Sequence, residues 1–172
     1  MKDKKIQFLT QAAMIGAVYV VLTYLLAAFS FGEIQVRISE ALTILPVFTP
    51  AAVPGLFVGC ILGNLLGGAI LPDILFGSLA TLIGAWGTWK LRSMLVSGHR
   101  LPLFAVIPPI AANAIIVPFV LRFGYGVNLP IPLMMLTVGI GEVISCGLLG
   151  LLLYSGIKVY GSRIFGPADS RE

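Results

Sequence analysis

The chain has 172 residues, of which 58% are hydrophobic and 10% are charged, and its formal net charge is +4. Because about a quarter of the residues in a soluble domain are charged, this composition excludes a water-soluble globular protein. The predicted fold class is an all-α integral membrane protein. In such a protein the excess of basic residues reports orientation, and we expect no nucleic-acid partner.

Apolar segments follow one another along the chain, and a spanning helix needs about 20 such residues. The first segment is too long for the apolar core of a signal peptide, so it is predicted to be the first spanning helix. The second is too long for one crossing and short for two. The segments are residues 6–31, 41–72, 74–95, 101–121 and 131–157.

The basic residues decide how often the second segment crosses the membrane. If it crosses twice, as a short helix near 39–49 and a second helix at 53–70, both termini and the loop at 90–100 share one face. That face then holds nine of the eleven basic residues. Basic residues concentrate in cytoplasmic loops, so we predict a single six-helix transmembrane domain, 1–172, in the cell membrane, with both termini cytoplasmic.

Glu142 and Asn113 are polar residues predicted to lie in the middle of spanning helices. An intramembrane carboxylate is costly and usually faces a partner or a cavity. Its two oxygens suit a pair of N–H donors or an ammonium group. Asn113, between two prolines of a kinked helix, and Asn64, in a glycine-rich run, are further candidates to line such a cavity. Polar contacts between helices are the competing explanation for all three residues.

Three charged residues, Glu33, Arg37 and Glu40, lie between the first two apolar runs. A solvated loop with an exposed ion pair would explain them. Because Glu40 directly precedes the apolar run, we instead expect it to point into an outward-facing cavity, held by Arg37, with the loop at 32–38 as the roof. Trp86 is the candidate aromatic residue to stack on a planar ligand there.

Small residues recur four apart on the first helix, including Ala13 and Ala17, and such faces let another helix approach closely. They fit packing inside the bundle or docking of a partner membrane subunit. The two cysteines lie in apolar segments, so no disulfide, metal site or cofactor is expected. The sequence contains no GxxxxGK[ST], HExxH or GxSxG motif, so no motif in it indicates an enzyme.

The runs GEIQVRISEALTILPVFTPAAVPGLFVGCILGN, DILFGSLATLIGA and GIGEVISCGLLGLLLY resemble the QueT family, whose members are substrate-specificity subunits of energy-coupling factor (ECF) transporters. The resemblance implies a six-helix bundle without enzymatic activity. It implies extracellular binding of a queuosine precursor, a 7-deazaguanine with an aminomethyl or cyano group, or queuine. It further implies a transmembrane coupling protein and two ATPase subunits as partners, with Ala13 and Ala17 on the docking face.

The resemblance fits the candidate residues, because the guanine-like edge of such a base offers adjacent N–H and NH2 donors to a carboxylate. Either Glu142 or Glu40 suits that edge, and the choice between them stays open. The same scaffold carrying a thiamine-like cation is one alternative. A structural membrane subunit without a ligand is another.

Overall fold

The computed structural model describes residues 2–26, 37–95 and 102–164, and in this part of the chain every regular element is helical. The predicted all-α class is confirmed. The helices are α1 (Lys2–Leu25), α2 (Ile38–Val47), α3 (Ala52–Leu66), α4 (Leu71–Leu95), α5 (Ile107–Phe123, preceded by a 3-10 turn at Leu103–Val106) and α6 (residues 131–164). The predicted roof at 32–38 lies, apart from its last two residues, outside the described residues.

Three helical stretches of the described residues are long and apolar enough to span a membrane: Asp3–Leu25, Leu103–Phe123 and Ile131–Val159. Helices α2 and α3 are apolar but shorter. The sequence predicted both short helices, at 39–49 and 53–70, within a few residues of where they lie. This arrangement is that of a membrane protein built around short interior segments.

Helix α2 is the centre of the bundle. All residues from Ser39 to Pro46 are buried, and α2 packs against α1, α3, α4 and α6. It winds as a 3-10 helix, so its ten residues rise about 20 Å, which is less than the hydrocarbon thickness of about 30 Å. The polar residues Ser39, Glu40 and Thr43 of α2 are therefore buried between the surrounding helices.

Helices α1 and α3 approach each other through glycines. A Cβ atom built on Gly55 would lie 2.6 Å from the carbonyl oxygen of Ala12, and one on Gly59 would lie 2.9 Å from the carbonyl oxygen of Gly16. The predicted small-residue face of α1 therefore serves packing inside the bundle at Ala12 and Gly16. Close approach here brings Tyr19, which is buried, toward the centre.

A threonine compensates for a proline where α4 meets α5. Pro109 has no N–H, so it cannot bond the carbonyl of Ala105 one turn earlier. The hydroxyl of Thr88 donates to that carbonyl at 2.7 Å. The Ala105 carbonyl, which would otherwise lack a donor, thus forms a hydrogen bond that links α4 to the start of α5.

Helix α6 changes its winding in the middle. Its first part, Ile131–Glu142, is α-helical, Val143–Leu149 is π-helical, and Gly150–Ile164 is α-helical again. Wider π turns occur frequently at functional sites. Here the change begins directly after Glu142 and includes Cys146.

Candidate functional site

Glu40 lies in the first turn of α2 and is fully buried, with 0% of its surface exposed. Its oxygen Oε1 accepts hydrogen bonds from the Tyr19 hydroxyl of α1 and, at 2.9 Å, from the Thr81 hydroxyl of α4. Its other oxygen, Oε2, has no hydrogen-bond partner among the described residues. Because leaving a buried acceptor unsatisfied is costly, Oε2 keeps an unused capacity to accept a hydrogen bond.

Glu142, at the end of the first part of α6, is also buried. Its Oε2 accepts a hydrogen bond from the Cys146 thiol at 3.1 Å. Ligand-capable atoms of Glu40, Glu142 and Cys146 all lie within 4.8 Å of one another. Two carboxylates so close repel each other when both are ionised, which favours a bound group that brings protons or positive charge.

The carboxylate oxygens and the cysteine sulfur of these three side chains are also atoms that can coordinate a metal ion. The thiol, however, is already engaged within the protein. It donates to Glu142, contacts the Glu40 carbonyl at 3.5 Å, and accepts from the Thr43 hydroxyl at 3.3 Å. We assign no metal to this cluster.

A second polar cluster lies where α2 begins. The Arg37 guanidinium donates to both oxygens of Asp73 at 3.2 Å, and the two side chains form a buried ion pair. The Tyr125 hydroxyl, in the connection between α5 and α6, donates to Asp73 at 3.1 Å. Burial and the neighbouring Asp73 carboxylate raise the pKa of Tyr125 above its ordinary value.

Asn64 of α3 belongs to this second cluster, with its amide nitrogen 3.5 Å from the Asp73 carbonyl oxygen and its Oδ1 unpartnered among the described residues. Asn113 of α5 is buried, and its amide donates to the Pro109 carbonyl of its own helix at 3.2 Å. Its described hydrogen bond therefore does not connect it to Glu40 or Glu142. Of the predicted site residues, the structure thus brings Glu40 and Glu142 together and places Arg37 and Asn64 in a second cluster.

The predicted position of Trp86 is corrected by the structure. Its side chain is 53% exposed, and Lys90 Nζ lies 5.6 Å from the centre of its indole ring. Trp86 follows Thr81 by five residues, which turns it about 140° around the helix from the face that contacts Glu40. The indole therefore lies on the outer surface of the bundle and does not line the site.

Ala13 and Ala17 are exposed on the outside of α1. Their neighbours Ala12 and Gly16 pack against α3. The small residues of α1 thus divide between two faces, one inside the bundle and one on its surface. Docking of a partner on Ala13 and Ala17 stays a prediction.

Tyr19, Thr81 and Asp73 were not among the predicted site residues. Each has a signal in hindsight: Tyr19 and Thr81 are hydroxyl groups within apolar helices, and Asp73 is an acid next to an apolar run. A buried carboxylate such as Glu40 needs hydrogen-bond donors, and the hydroxyls of Tyr19 and Thr81 supply two of them.

Comparison with known proteins gives one family. The family model described as "QueT transporter" matches residues 9–159. A curated relative, "Queuosine precursor transporter QueT" of Lactococcus lactis subsp. cremoris (strain MG1363), is 34% identical over 85 residues, which cover 48% of this chain and 50% of that protein. The chain thus spans about half the length of the curated relative it matches. No solved structure matches the chain.

Proposed function

The chain belongs to the QueT transporter family, and from this premise we propose that it is the membrane-embedded, substrate-binding subunit of an uptake transporter for queuosine precursors. The proposed substrates are 7-deazaguanine bases with an aminomethyl or cyano group, or queuine. The relative from Lactococcus lactis, a queuosine precursor transporter by its name, supports this substrate class. We propose no catalytic activity for the subunit itself.

The observation that carries the proposal is the buried pair of carboxylates, Glu40 and Glu142, whose ligand-capable atoms lie within 4.8 Å of each other. A 7-deazaguanine offers ring N–H and amino donors along one edge. An aminomethyl or queuine substituent adds an amine that is cationic at neutral pH. Such a ligand satisfies both acids at once, which relieves the repulsion between them.

The orientation we propose places both termini in the cytoplasm and the bundle in the cell membrane. The distribution of basic residues supports it, since nine of eleven then lie on the cytoplasmic face. The second cluster, with Arg37, Asp73 and Tyr125, then lies toward the extracellular side. A ligand arriving from outside meets this cluster before it reaches Glu40.

We further propose that transport requires an ECF transmembrane coupling protein and two ATPases. The sequence has no phosphate-binding loop of the GxxxxGK[ST] type, so energy from ATP has to come through partners. The exposed pair Ala13 and Ala17 on α1 is the proposed docking face for the coupling protein, since small side chains let a partner helix approach closely.

The experiment that tests the function is a calorimetric titration of the full chain, purified in detergent. The ligands are 7-aminomethyl-7-deazaguanine, 7-cyano-7-deazaguanine, queuine, guanine and thiamine. Saturable binding of a 7-deazaguanine, with guanine and thiamine much weaker, is the expected result. Binding of thiamine in preference to every deazaguanine would replace the proposed substrate class, and binding of none would refute a substrate-binding role.

Glu142→Gln is expected to weaken binding of the preferred 7-deazaguanine by about 1–3 kcal/mol, since it removes a charged acceptor from the ligand. Calorimetry measures the change, and thermal unfolding of the same sample checks that the fold is retained. Trp86→Phe is the control, because its outward position predicts unchanged affinity. Equal affinities of Glu142→Gln and the unmodified chain would exclude Glu142 from the site.

A further inference from the structure

We propose that Tyr19 and Thr81 are positioning residues that fix the carboxylate of Glu40, so that its free oxygen receives the amine of the ligand substituent while Glu142 receives the paired donors of the base. This inference rests on the proposed function. It assigns different tasks to the two acids, and it adds to the site two residues that contact Glu40.

The hydrogen bonds of Glu40 limit what it can accept. Each carboxylate oxygen offers about two acceptor positions. Oε1 uses both, since the hydroxyls of Tyr19 and Thr81 donate to it, whereas Oε2 is buried and has no partner among the described residues. Glu40 therefore presents a single oxygen, which suits an ammonium group and does not suit two parallel N–H donors that require both oxygens.

Glu142 keeps the complementary capacity. The one described hydrogen bond to its carboxylate comes from the Cys146 thiol, which is a weak donor. Both oxygens therefore retain acceptor positions, and a two-oxygen fork matches the adjacent N–H and amino groups of a guanine-like edge. The difference between the acids follows from their neighbours and not from their own chemistry.

The two hydroxyls also fix the orientation of Glu40. The terminal torsion of a glutamate is broad and roughly two-fold, so a carboxylate with no fixed partner rotates. Donors from two different helices, α1 and α4, hold Oε1 between them. Removing one hydroxyl lets the carboxylate turn, and Oε2 then no longer has one defined direction.

Two ligand changes separate this mechanism from a structural role of the hydroxyls. 7-Methyl-7-deazaguanine lacks the amine of the aminomethyl compound, and 7-aminomethyl-7-deazahypoxanthine lacks the 2-amino group of the base. Thr81→Val is expected to weaken binding of the aminomethyl compound about tenfold, because the hydrogen bond between Glu40 and the ligand amine becomes weaker. Binding of the methyl compound, which has no amine, is expected to change little. Tyr19→Phe is expected to act in the same direction.

Two control variants are on α4, the helix that contains Thr81. Thr81→Ser retains the hydroxyl and is expected to restore binding of the aminomethyl compound. Thr88→Val removes a buried hydroxyl of α4 that bonds the Ala105 carbonyl, and is expected to lower thermal stability without changing the dissociation constant. Glu142→Gln is expected to reduce discrimination between the aminomethyl base and its hypoxanthine analogue, which Thr81→Val leaves intact.

Failure of this inference differs from failure of the proposed function. Calorimetry on the unmodified full chain comes first, and absence of any deazaguanine binding would refute the function and the inference together. If the unmodified chain binds, equal weakening of the aminomethyl and methyl compounds by Thr81→Val would overturn the inference alone. Unchanged affinity in Thr81→Val would overturn it as well, whether or not Tyr19→Phe folds.

Discussion

Replacing Asp73 by asparagine is expected to destabilise the fold by about 3–5 kcal/mol, the usual cost of removing one partner from a buried ion pair. The Arg37 and Asp73 side chains are 2% and 0% exposed and lie 3.2 Å apart. The substitution leaves the guanidinium without the carboxylate that neutralises it. It also removes the anionic acceptor of the Tyr125 hydroxyl. Unfolding by heat or denaturant in detergent, followed by circular dichroism, measures the effect.

Two further variants show whether charge is the cause. Asp3→Asn removes an exposed acid from the first turn of α1 and is expected to change the free energy of unfolding by no more than about 0.5 kcal/mol. The double variant Arg37→Met with Asp73→Leu is expected to recover most of the lost stability, because an apolar pair of similar volume avoids the desolvation of two charges. An Asp73→Asn protein as stable as Asp3→Asn would refute a structural role for the pair.

The sequence predicted the helices because their causes are local. Long apolar runs and the prolines that punctuate them indicate the helices, and the balance of basic residues required the segment from 41 to 72 to form two short ones. The 3-10 winding of α2 was not predicted. It accompanies complete burial from Ser39 to Pro46, and burial of that kind depends on four other helices that no local pattern describes.

Glu40 and Glu142 were recognisable because a carboxylate in an apolar segment is costly and demands an explanation. Tyr19 and Thr81 gave no comparable signal, since hydroxyl groups are tolerated in membrane helices and often bond the backbone of their own helix. Asp73 follows a proline in the first turn of α4, where an acid is already favourable near the helix N-terminus. Its role as the partner of Arg37 depends on α4 packing beside the start of α2, which no local pattern describes.

Trp86, by contrast, was predicted to line the site and lies outside it. Its ring chemistry suits stacking on a planar base, but chemistry does not tell which side of a helix faces the interior. Once Thr81 is known to contact Glu40, the helical period places Trp86 on another face. One residue of α4 known to face the interior is enough to exclude Trp86 from the site, because it fixes the orientation of the whole helix.

Gly59→Leu is expected to destabilise the bundle by about 3 kcal/mol, at the upper end of the cost of overpacking, and to abolish ligand binding. A Cβ atom at Gly59 would lie 2.9 Å from the Gly16 carbonyl oxygen and 2.9 Å from the Tyr19 Cβ. The Gly16 backbone and the Tyr19 side chain leave no room for a leucine side chain at this position, so α1 has to move away from α3. Tyr19 then moves away from Glu40.

The matched control is Gly156→Leu on α6, where a Cβ atom meets no other atom within 4 Å. Both variants add the same side chain to a helix, so the difference between their unfolding temperatures isolates the contact with α1. Calorimetry with the preferred deazaguanine then measures the second effect. Stability of Gly59→Leu equal to that of Gly156→Leu would show that α1 is not held against α3 as described. Retained affinity in a destabilised Gly59→Leu protein would show instead that the position of Tyr19 does not matter to the ligand.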